Sequence, residues 1–156
     1  MRKTIWDSML DADMNQRYWS HLSRRYYVRD QNSKIFLALM SSGTVASWGF
    51  WSDFPIIWKA LSATSALLAI ALPLLNWPRH ISSMVGLKQK WTEIKSDYEL
   101  LWLALEKGKK DADVEKELKR IKQMETKVSQ QETNLPCDKK LIYQCRDEVL
   151  KSRGLN

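Results

Sequence analysis

The sequence contains few Cys, His and Gly residues, which many catalytic, metal and phosphate sites need. It has two Cys, five Gly and four Pro, and its two His are His21 and His80. Neither His stands in a metal-ligand spacing with a Cys, and no Gly-rich phosphate loop or nucleophilic Ser motif is present. The abundant carboxylates are expected on solvated helical faces. We therefore expect no enzyme, no metal and no cofactor.

Charge is absent from two stretches, although 28% of all residues are charged. Residues 35–51 and residues 60–77 contain no Asp, Glu, Lys or Arg. A helix needs about 20 apolar residues to cross a bilayer, and flanking Trp and Lys side chains can extend a shorter run. The sequence therefore predicts two transmembrane spans, at 34–52 and 56–77. A hairpin buried in a soluble core is the alternative, and it gives no purpose to the Trp residues at the tip of the hairpin, Trp48, Trp51 and Trp58.

The distribution of Lys and Arg predicts the orientation of this hairpin. Basic residues precede the first run and follow the second, whereas residues 52–55 between the runs contain none. Because basic flanks stay in the cytosol, both termini are expected there. Three regions follow: a cytosolic amphipathic helix over 1–33, a transmembrane hairpin over 34–77, and a cytosolic helical region over 78–156. Both Cys then lie in the cytosol and are expected to be reduced.

Apolar residues outside the two runs repeat at helical spacing. After Pro78 the steps alternate between four and three, as in a bundle or coiled coil, through Leu87, Trp91, Ile94, Tyr98, Leu101 and Leu105. Gly108 is expected to end this helix and Asp111 to cap the next one. Further helical rows comprise Trp6, Leu10, Met14, Tyr18 and Leu22, then Val114, Leu118, Ile121 and Val128, then Leu141, Cys145 and Val149. The expected fold is an all-α membrane protein, a two-helix transmembrane hairpin with long cytosolic helices in a small bundle or coiled coil.

Small and hydroxylated residues are concentrated in the two predicted spans. The candidate helix-packing or pore-lining residues are Ala38, Ser42, Gly43, Ala46, Ser47, Ser62, Ala66 and Ala69. Small residues let helices approach closely, and hydroxyls can bond across the contact. Two interpretations stay open: the hairpin packs on itself, or a second face contacts neighbouring protomers and lines a polar path in an oligomer. Pro73 is either a tolerated kink or a hinge.

Basic and aromatic residues cluster beside the predicted cytosolic ends of the spans. The candidate residues for binding an anionic ligand or a lipid headgroup are Arg17, Arg24, Arg25, Tyr26, Arg29, Arg79 and His80. Arg beside aromatic rings can bind phosphate and stack on a base. A topology signal with an interfacial aromatic belt explains the same residues, and we prefer that interpretation.

The order of these parts resembles the SLATT family, two-transmembrane effectors associated with bacterial nucleotide signalling. The shared features are the Arg- and aromatic-rich stretch 17–29, a Ser/Gly/Thr-rich span, a minimal connection, a second span and a helical tail with Trp91, Tyr98 and Trp102. The resemblance implies antiphage defence: the effector assembles into a homo-oligomer on a cue and permeabilises the bacterial inner membrane. It also implies control by a cyclic nucleotide or a partner sensor enzyme. No catalytic residue is implied, and neither DNA nor RNA is an expected partner.

Two other functions remain open at this point. A phage holin has two spans and a basic tail, but the cytosolic region after Pro78 is longer than a holin needs. A membrane scaffold or small transporter subunit is the third interpretation. Transporters typically place a charge or a broken helix in the middle of the bilayer, and the predicted spans offer only hydroxyls and Pro73 there.

Overall fold

The computed structural model describes residues 1–46 and 55–155, and these residues form five helices and no strand. The helices are α1 (Arg2–Ala46), α2 (Pro55–Leu75), α3 (Trp77–Glu106), α4 (Asp111–Gln131) and α5 (Lys139–Ser152). The all-α part of the expected fold is therefore confirmed for the described ranges. Residues 47–54, which hold the end of the first predicted span and most of the connection, lie outside them.

The chain divides into two compact units. Residues 1–23 and 82–156 form one unit, which we call the bundle, and residues 24–81 form the other, which we call the hairpin unit. The bundle contains the first half of α1 with most of α3 and all of α4 and α5. The hairpin unit contains the second half of α1 with α2 and the first residues of α3.

The core of the bundle follows the predicted apolar rows of its last three helices. In α3 five of the six predicted residues are buried: Leu87, Trp91, Ile94, Tyr98 and Leu101. Met84, which was not predicted, extends this buried row by one turn towards the N-terminus of α3. In α4 and α5 they are Val114, Ile121 and Val128, then Leu141, Cys145 and Val149. Leu105 and Leu118 are only half-buried. The predicted rows thus gave the inward face correctly, with steps of four and three in α3 and two steps of four in the short α5.

The inward face of α1 differs from the predicted row. Ile5, Met9 and Ala12 are buried, whereas Trp6 and Leu10 are half-buried. The helix turns once in 3.6 residues, so a row with a constant step of four moves around the helix by about 40° at each step. The predicted row therefore starts beside the core and enters it only near its end, at Tyr18 and Leu22, which are buried.

The helix ends follow local rules with one exception. Gly108 has φ +79° just after α3, and Gly154 has φ +68° after α5, the left-handed conformation that suits Gly at a helix end. Asp138 caps α5 by accepting from the backbone nitrogen of Leu141 at 3.1 Å. The prediction that Asp111 caps α4 is wrong, because the cap position is Lys110 and Asp111 lies in the first turn. There its charge still favours the positive end of the helix.

By length and apolar composition, no single helix of the described residues is sufficient to cross a bilayer. One pair passes the same criterion together, namely Lys59–Leu75 with Trp77–Glu106, which meet at an angle of 43°. The break between them is at Asn76, which has φ 47°. Pro73 lies inside α2, which continues for two more residues beyond it.

Candidate functional site

The hairpin unit exposes a large apolar surface on both of its main helices. Five side chains on α1 and α2 have between 65% and 81% of their surface exposed: Leu39, Ile56, Leu67, Ile70 and Leu74. Water-exposed apolar patches of this kind are uncommon on soluble proteins and mark contact with a membrane or another protein. This surface is the first candidate site.

A groove of small residues lies between α1 and α2 in the hairpin unit. Its volume is about 400 Å³, and Leu37, Ala38, Met40, Ser41, Ser65, Ala66 and Ala69 line it. Three candidate packing residues, Ala38, Ala66 and Ala69, therefore lie along one groove, and Ser62 is half-buried nearby on α2. Ser42, Gly43, Ala46 and Ser47 lie outside the residues whose side chains the structure describes.

The hydroxyl groups beside this groove bond to their own helices. Ser41 donates to the carbonyl of Ala38 at 2.9 Å, and Ser65 donates to the carbonyl of Ser62 at 3.0 Å. Such bonds satisfy a hydroxyl without water, which an apolar environment requires. Ser41 and Ser65 can therefore lie beside the groove in an apolar environment.

The candidate anion-binding residues are divided between the two units. Arg17 belongs to the bundle, where its guanidinium bonds to Asp13 and Ser152. The hairpin unit holds the exposed Arg24, Arg25, Arg29 and Arg79 with the half-buried Tyr26 and His80. The guanidinium of Arg29 lies 5.7 Å from the ring centre of Tyr26, a cation–π contact. Arg17 therefore makes ion-pair and hydrogen-bond contacts within the bundle. The other candidate residues give the hairpin unit a basic, aromatic surface.

A buried carboxylate joins three helices of the bundle. Asp13 on α1 has 2% of its side chain exposed, and its oxygens lie 3.0 Å from Arg17 Nε, 3.3 Å from Lys95 Nζ and 3.6 Å from Arg153 Nη2. Burial acts to raise the pKa of Asp13, but the hydrogen bonds and charges of Arg17 and Lys95 outweigh it, so this pKa lies below its ordinary value. The expectation that carboxylates lie on solvated faces is wrong here, and it is also wrong for the buried Asp30.

A second carboxylate in the bundle accepts hydrogen bonds from two indole rings. One oxygen of Glu132, Oε1, accepts from Trp19 Nε1 at 2.9 Å and from Trp91 Nε1 at 2.6 Å. A cavity of about 360 Å³ lies beside Glu132 and Trp19, lined by α1, the end of α4 and the connection to α5. Tyr18, which also lines it, accepts from the backbone nitrogen of Asp138 at 3.0 Å. Buried indole N–H groups need an acceptor, so Glu132 has a structural role at the wall of this cavity.

A third group of polar side chains lies between α1 and α5. Nε2 of His21 and Oε2 of Glu148 are 3.2 Å apart, and the sulfur of the buried Cys145 lies within 4.8 Å of both side chains. A hydrogen bond from Gln144, and then the neighbouring His21, lower the pKa of Glu148 against the effect of burial. The sequence analysis missed this group because His21 is remote along the chain from Cys145 and Glu148, and the Cys-x-x-Glu spacing on α5 is a weak signal by itself.

No protein-family model, curated protein or solved structure matches this chain. The described residues offer an apolar surface on the hairpin unit, and in the bundle a buried ionic cluster, an indole-lined cavity and a His–Cys–Glu group.

Proposed function

We propose that this chain crosses the bacterial inner membrane twice, through the hairpin unit, and acts as an effector of antiphage defence. It assembles into a homo-oligomer and permeabilises or depolarises the membrane, so that the infected cell dies or stops growing. A nucleotide second messenger or a partner sensor enzyme controls this assembly. The exposed apolar surface of α1 and α2 is the observation that carries the membrane part of the proposal.

The magnitude of this apolar exposure favours lipid over water. Removing one large aliphatic side chain from water contributes about 1.5–3 kcal/mol. Four large aliphatic side chains of α2 are between 68% and 81% exposed, namely Ile56, Leu67, Ile70 and Leu74, and together they contribute at most about 6–12 kcal/mol in favour of an apolar environment. This is comparable to the whole stability of a typical domain, about 5–15 kcal/mol, so such a surface is costly to leave in water.

The groove between α1 and α2 supports the assembly part of the proposal. Its lining is small at Ala38, Ala66 and Ala69, so a helix of a second copy can approach its edges closely. Close backbone approach is the main source of helix association in lipid, where apolar burial gives little driving force. We infer a homo-oligomer in which such contacts surround a polar path or disrupt the bilayer.

The basic surface of the hairpin unit supports a location at the cytosolic face. Arg24, Arg25 and Arg29 are exposed beside the aromatic Tyr26 and Tyr27. Each Lys or Arg near an anionic leaflet contributes about 1 kcal/mol of attraction, and aromatic rings favour the headgroup level. We propose lipid headgroups as the first partner of these residues. The same cations would hold a cyclic nucleotide, if this is the cue, through its phosphate.

The membrane proposal is tested by placing a charge on the apolar surface. Leu67→Lys would bring an ammonium to the centre of the second span, at a cost of about 2.5–3.5 kcal/mol, whereas on an exposed helix in water it would cost less than about 0.5 kcal/mol. We expect the variant to reduce the membrane-bound fraction of the full chain in induced cells. Leu103→Lys, at an exposed position of the bundle, is the matched control and should leave fractionation unchanged.

The effector proposal is tested in the same cells with a potential-sensitive dye. Induction of the wild-type chain should stop growth and collapse the membrane potential, and Leu67→Lys should weaken both effects. Growth arrest without loss of potential would refute the proposal, and absence of toxicity would favour a scaffold. Deletion of residues 109–156 separates an effector from a holin, because a holin should stay lytic without them, whereas a controlled effector should become inactive or unregulated.

A further inference from the structure

We propose that His21, Cys145 and Glu148 form a binding site for a zinc-type divalent metal ion in the bundle. The three side chains supply one imidazole nitrogen, one sulfur and one carboxylate oxygen, and these ligand atoms all lie within 4.8 Å of one another. Imidazole, thiolate and carboxylate are the three ligand types that zinc sites in proteins use. The site lies wholly within one compact unit and is independent of the hairpin.

The separation of the nitrogen and oxygen ligand atoms is close to that of a tetrahedral site. Zinc lies about 2.1 Å from nitrogen and oxygen ligands, so two such ligands of one ion are about 3.4 Å apart. His21 Nε2 and Glu148 Oε2 are 3.2 Å apart, so an ion can sit between them after a small movement. Zinc–sulfur bonds are longer, about 2.3 Å, and Cys145 therefore needs to approach only modestly from within 4.8 Å.

The helices position the three ligands without a dedicated loop. Cys145 and Glu148 are three residues apart on α5, so their side chains lie on the same face of that helix. His21 reaches them from α1, one turn after Arg17, which bonds to Ser152 of α5. The contact between α1 and α5 is thus fixed beside the site, and each ligand stands on a regular helix.

The type of ligand selects the class of metal. Sulfur and imidazole favour zinc, cobalt or copper over magnesium and calcium, which prefer sites built entirely of oxygen. Cys145 is buried, whereas His21 and Glu148 are half-buried, so water can enter from their side as the fourth ligand. Binding converts the thiol of Cys145 to a thiolate and releases its proton to solvent. No redox step is involved.

The rival interpretation is a hydrogen bond between His21 and Glu148 beside an ordinary core cysteine. The chain contains two His and two Cys, so the His and the Cys of the cluster each have a counterpart elsewhere in the chain that can serve as a control. His80 and Cys137 lie outside the cluster and are the matched controls for His21 and Cys145. A bound ion would also connect α1 to α5 and would bind only the folded bundle, so it should raise the thermal midpoint of unfolding.

The test uses the full chain in detergent micelles, stripped with a chelator and titrated with Co²⁺ and then Zn²⁺ salts. We expect one ion per chain, a thiolate-to-cobalt absorption band that Zn²⁺ removes, and a higher unfolding midpoint. His21→Ala, Glu148→Gln and Cys145→Ser should each weaken binding by about tenfold or more, while His80→Ala and Cys137→Ser should bind as the wild type does.

Two results would overturn the proposal. One is a wild-type chain that binds no more Co²⁺ than His21→Ala. The other is a loss of binding in the control variants equal to that in the cluster variants. Since substitution of the buried Cys145 can itself disturb folding, His21→Ala and Glu148→Gln at half-buried positions decide the outcome, with far-UV circular dichroism showing that the helices persist. These readouts do not depend on membrane activity, so they can fail while the proposed effector function stands.

Discussion

Replacing Asp13 by Asn should destabilise the bundle more than any exposed substitution on α1. The carboxylate accepts from Arg17 and Lys95 and lies 3.6 Å from Arg153, and it is the buried acceptor at their meeting point. Asn has nearly the same volume, so the change removes a charge without leaving a cavity. Arg17, Lys95 and Arg153 would then lose this shared partner, and Arg153 would keep the carboxylate of Glu99, which lies 3.1 Å from it.

The expected cost is about 2–4 kcal/mol. Removing one partner of a fully buried ion pair costs about 3–5 kcal/mol, because the other charge is left in a poor solvent. Here the three cations keep between 23% and 32% of their side-chain surface exposed, so they can turn partly to water, which lowers the cost. For a unit of about 100 residues, 1 kcal/mol corresponds to about 4–8 °C, and the melting midpoint should fall by roughly 10–30 °C.

Thermal unfolding of the full chain in micelles, followed by near-ultraviolet circular dichroism, measures this effect. The signal arises largely from packed aromatic rings, and the bundle holds the buried Trp19, Trp91 and Tyr98. Asp7→Asn is the control, because Asp7 is an exposed carboxylate on the same helix and its loss should cost less than about 0.5 kcal/mol. Equal midpoints for Asp13→Asn and Asp7→Asn would refute the reasoning.

The same carboxylate should make the bundle sensitive to acid in a defined direction. The pKa of Asp13 is lowered on folding from a reference value of 3.8, so the folded state binds this proton less tightly than the unfolded state. Its contribution is therefore complete above the unfolded pKa and is lost as the pH falls through the folded one. The wild-type midpoint should fall more steeply than that of Asp13→Asn below about pH 4.

Substitutions at three further positions test other contacts. Glu132→Leu removes the acceptor of Trp19 and Trp91 and should cost about 2–4 kcal/mol in chemical denaturation, whereas Glu132→Gln keeps an acceptor and should cost less. Tyr98→Phe removes the hydrogen bond of 2.9 Å that the Tyr98 hydroxyl donates to Glu125 of α4, and it should cost about 1–2 kcal/mol by the same measurement. Ala66→Leu fills the groove of the hairpin unit, and cross-linking in membranes should show fewer oligomers while the melting midpoint of the bundle stays unchanged.

The inward faces of α3 and α4 could be predicted from sequence because the step between their apolar residues averages close to the helical repeat, and the short α5 row spans too few turns for a constant step of four to leave the core. In α3, Leu87, Trp91 and Ile94 follow steps of four and three, which average close to the helical repeat, and all three are buried. In α1 a row with a constant step of four lies beside the core at Trp6 and Leu10 and reaches it only at Tyr18. The buried face there contains small and polar residues, including Ser8 and Asp13, which a search for apolar residues passes over.

Contacts between helices could not be predicted in the same way, because periodicity gives the face of a helix but not its neighbour. From the sequence, the position of Asp13 on α1 is compatible with a solvated side chain. In the fold its partners are Lys95 of α3 and Arg153 at the end of α5, which are both far along the chain. The same holds for His21 and Glu148. Both groups join α1 to α5, so the pairing of the first helix with the last is the one feature of the fold on which the buried charge and the proposed metal site both depend.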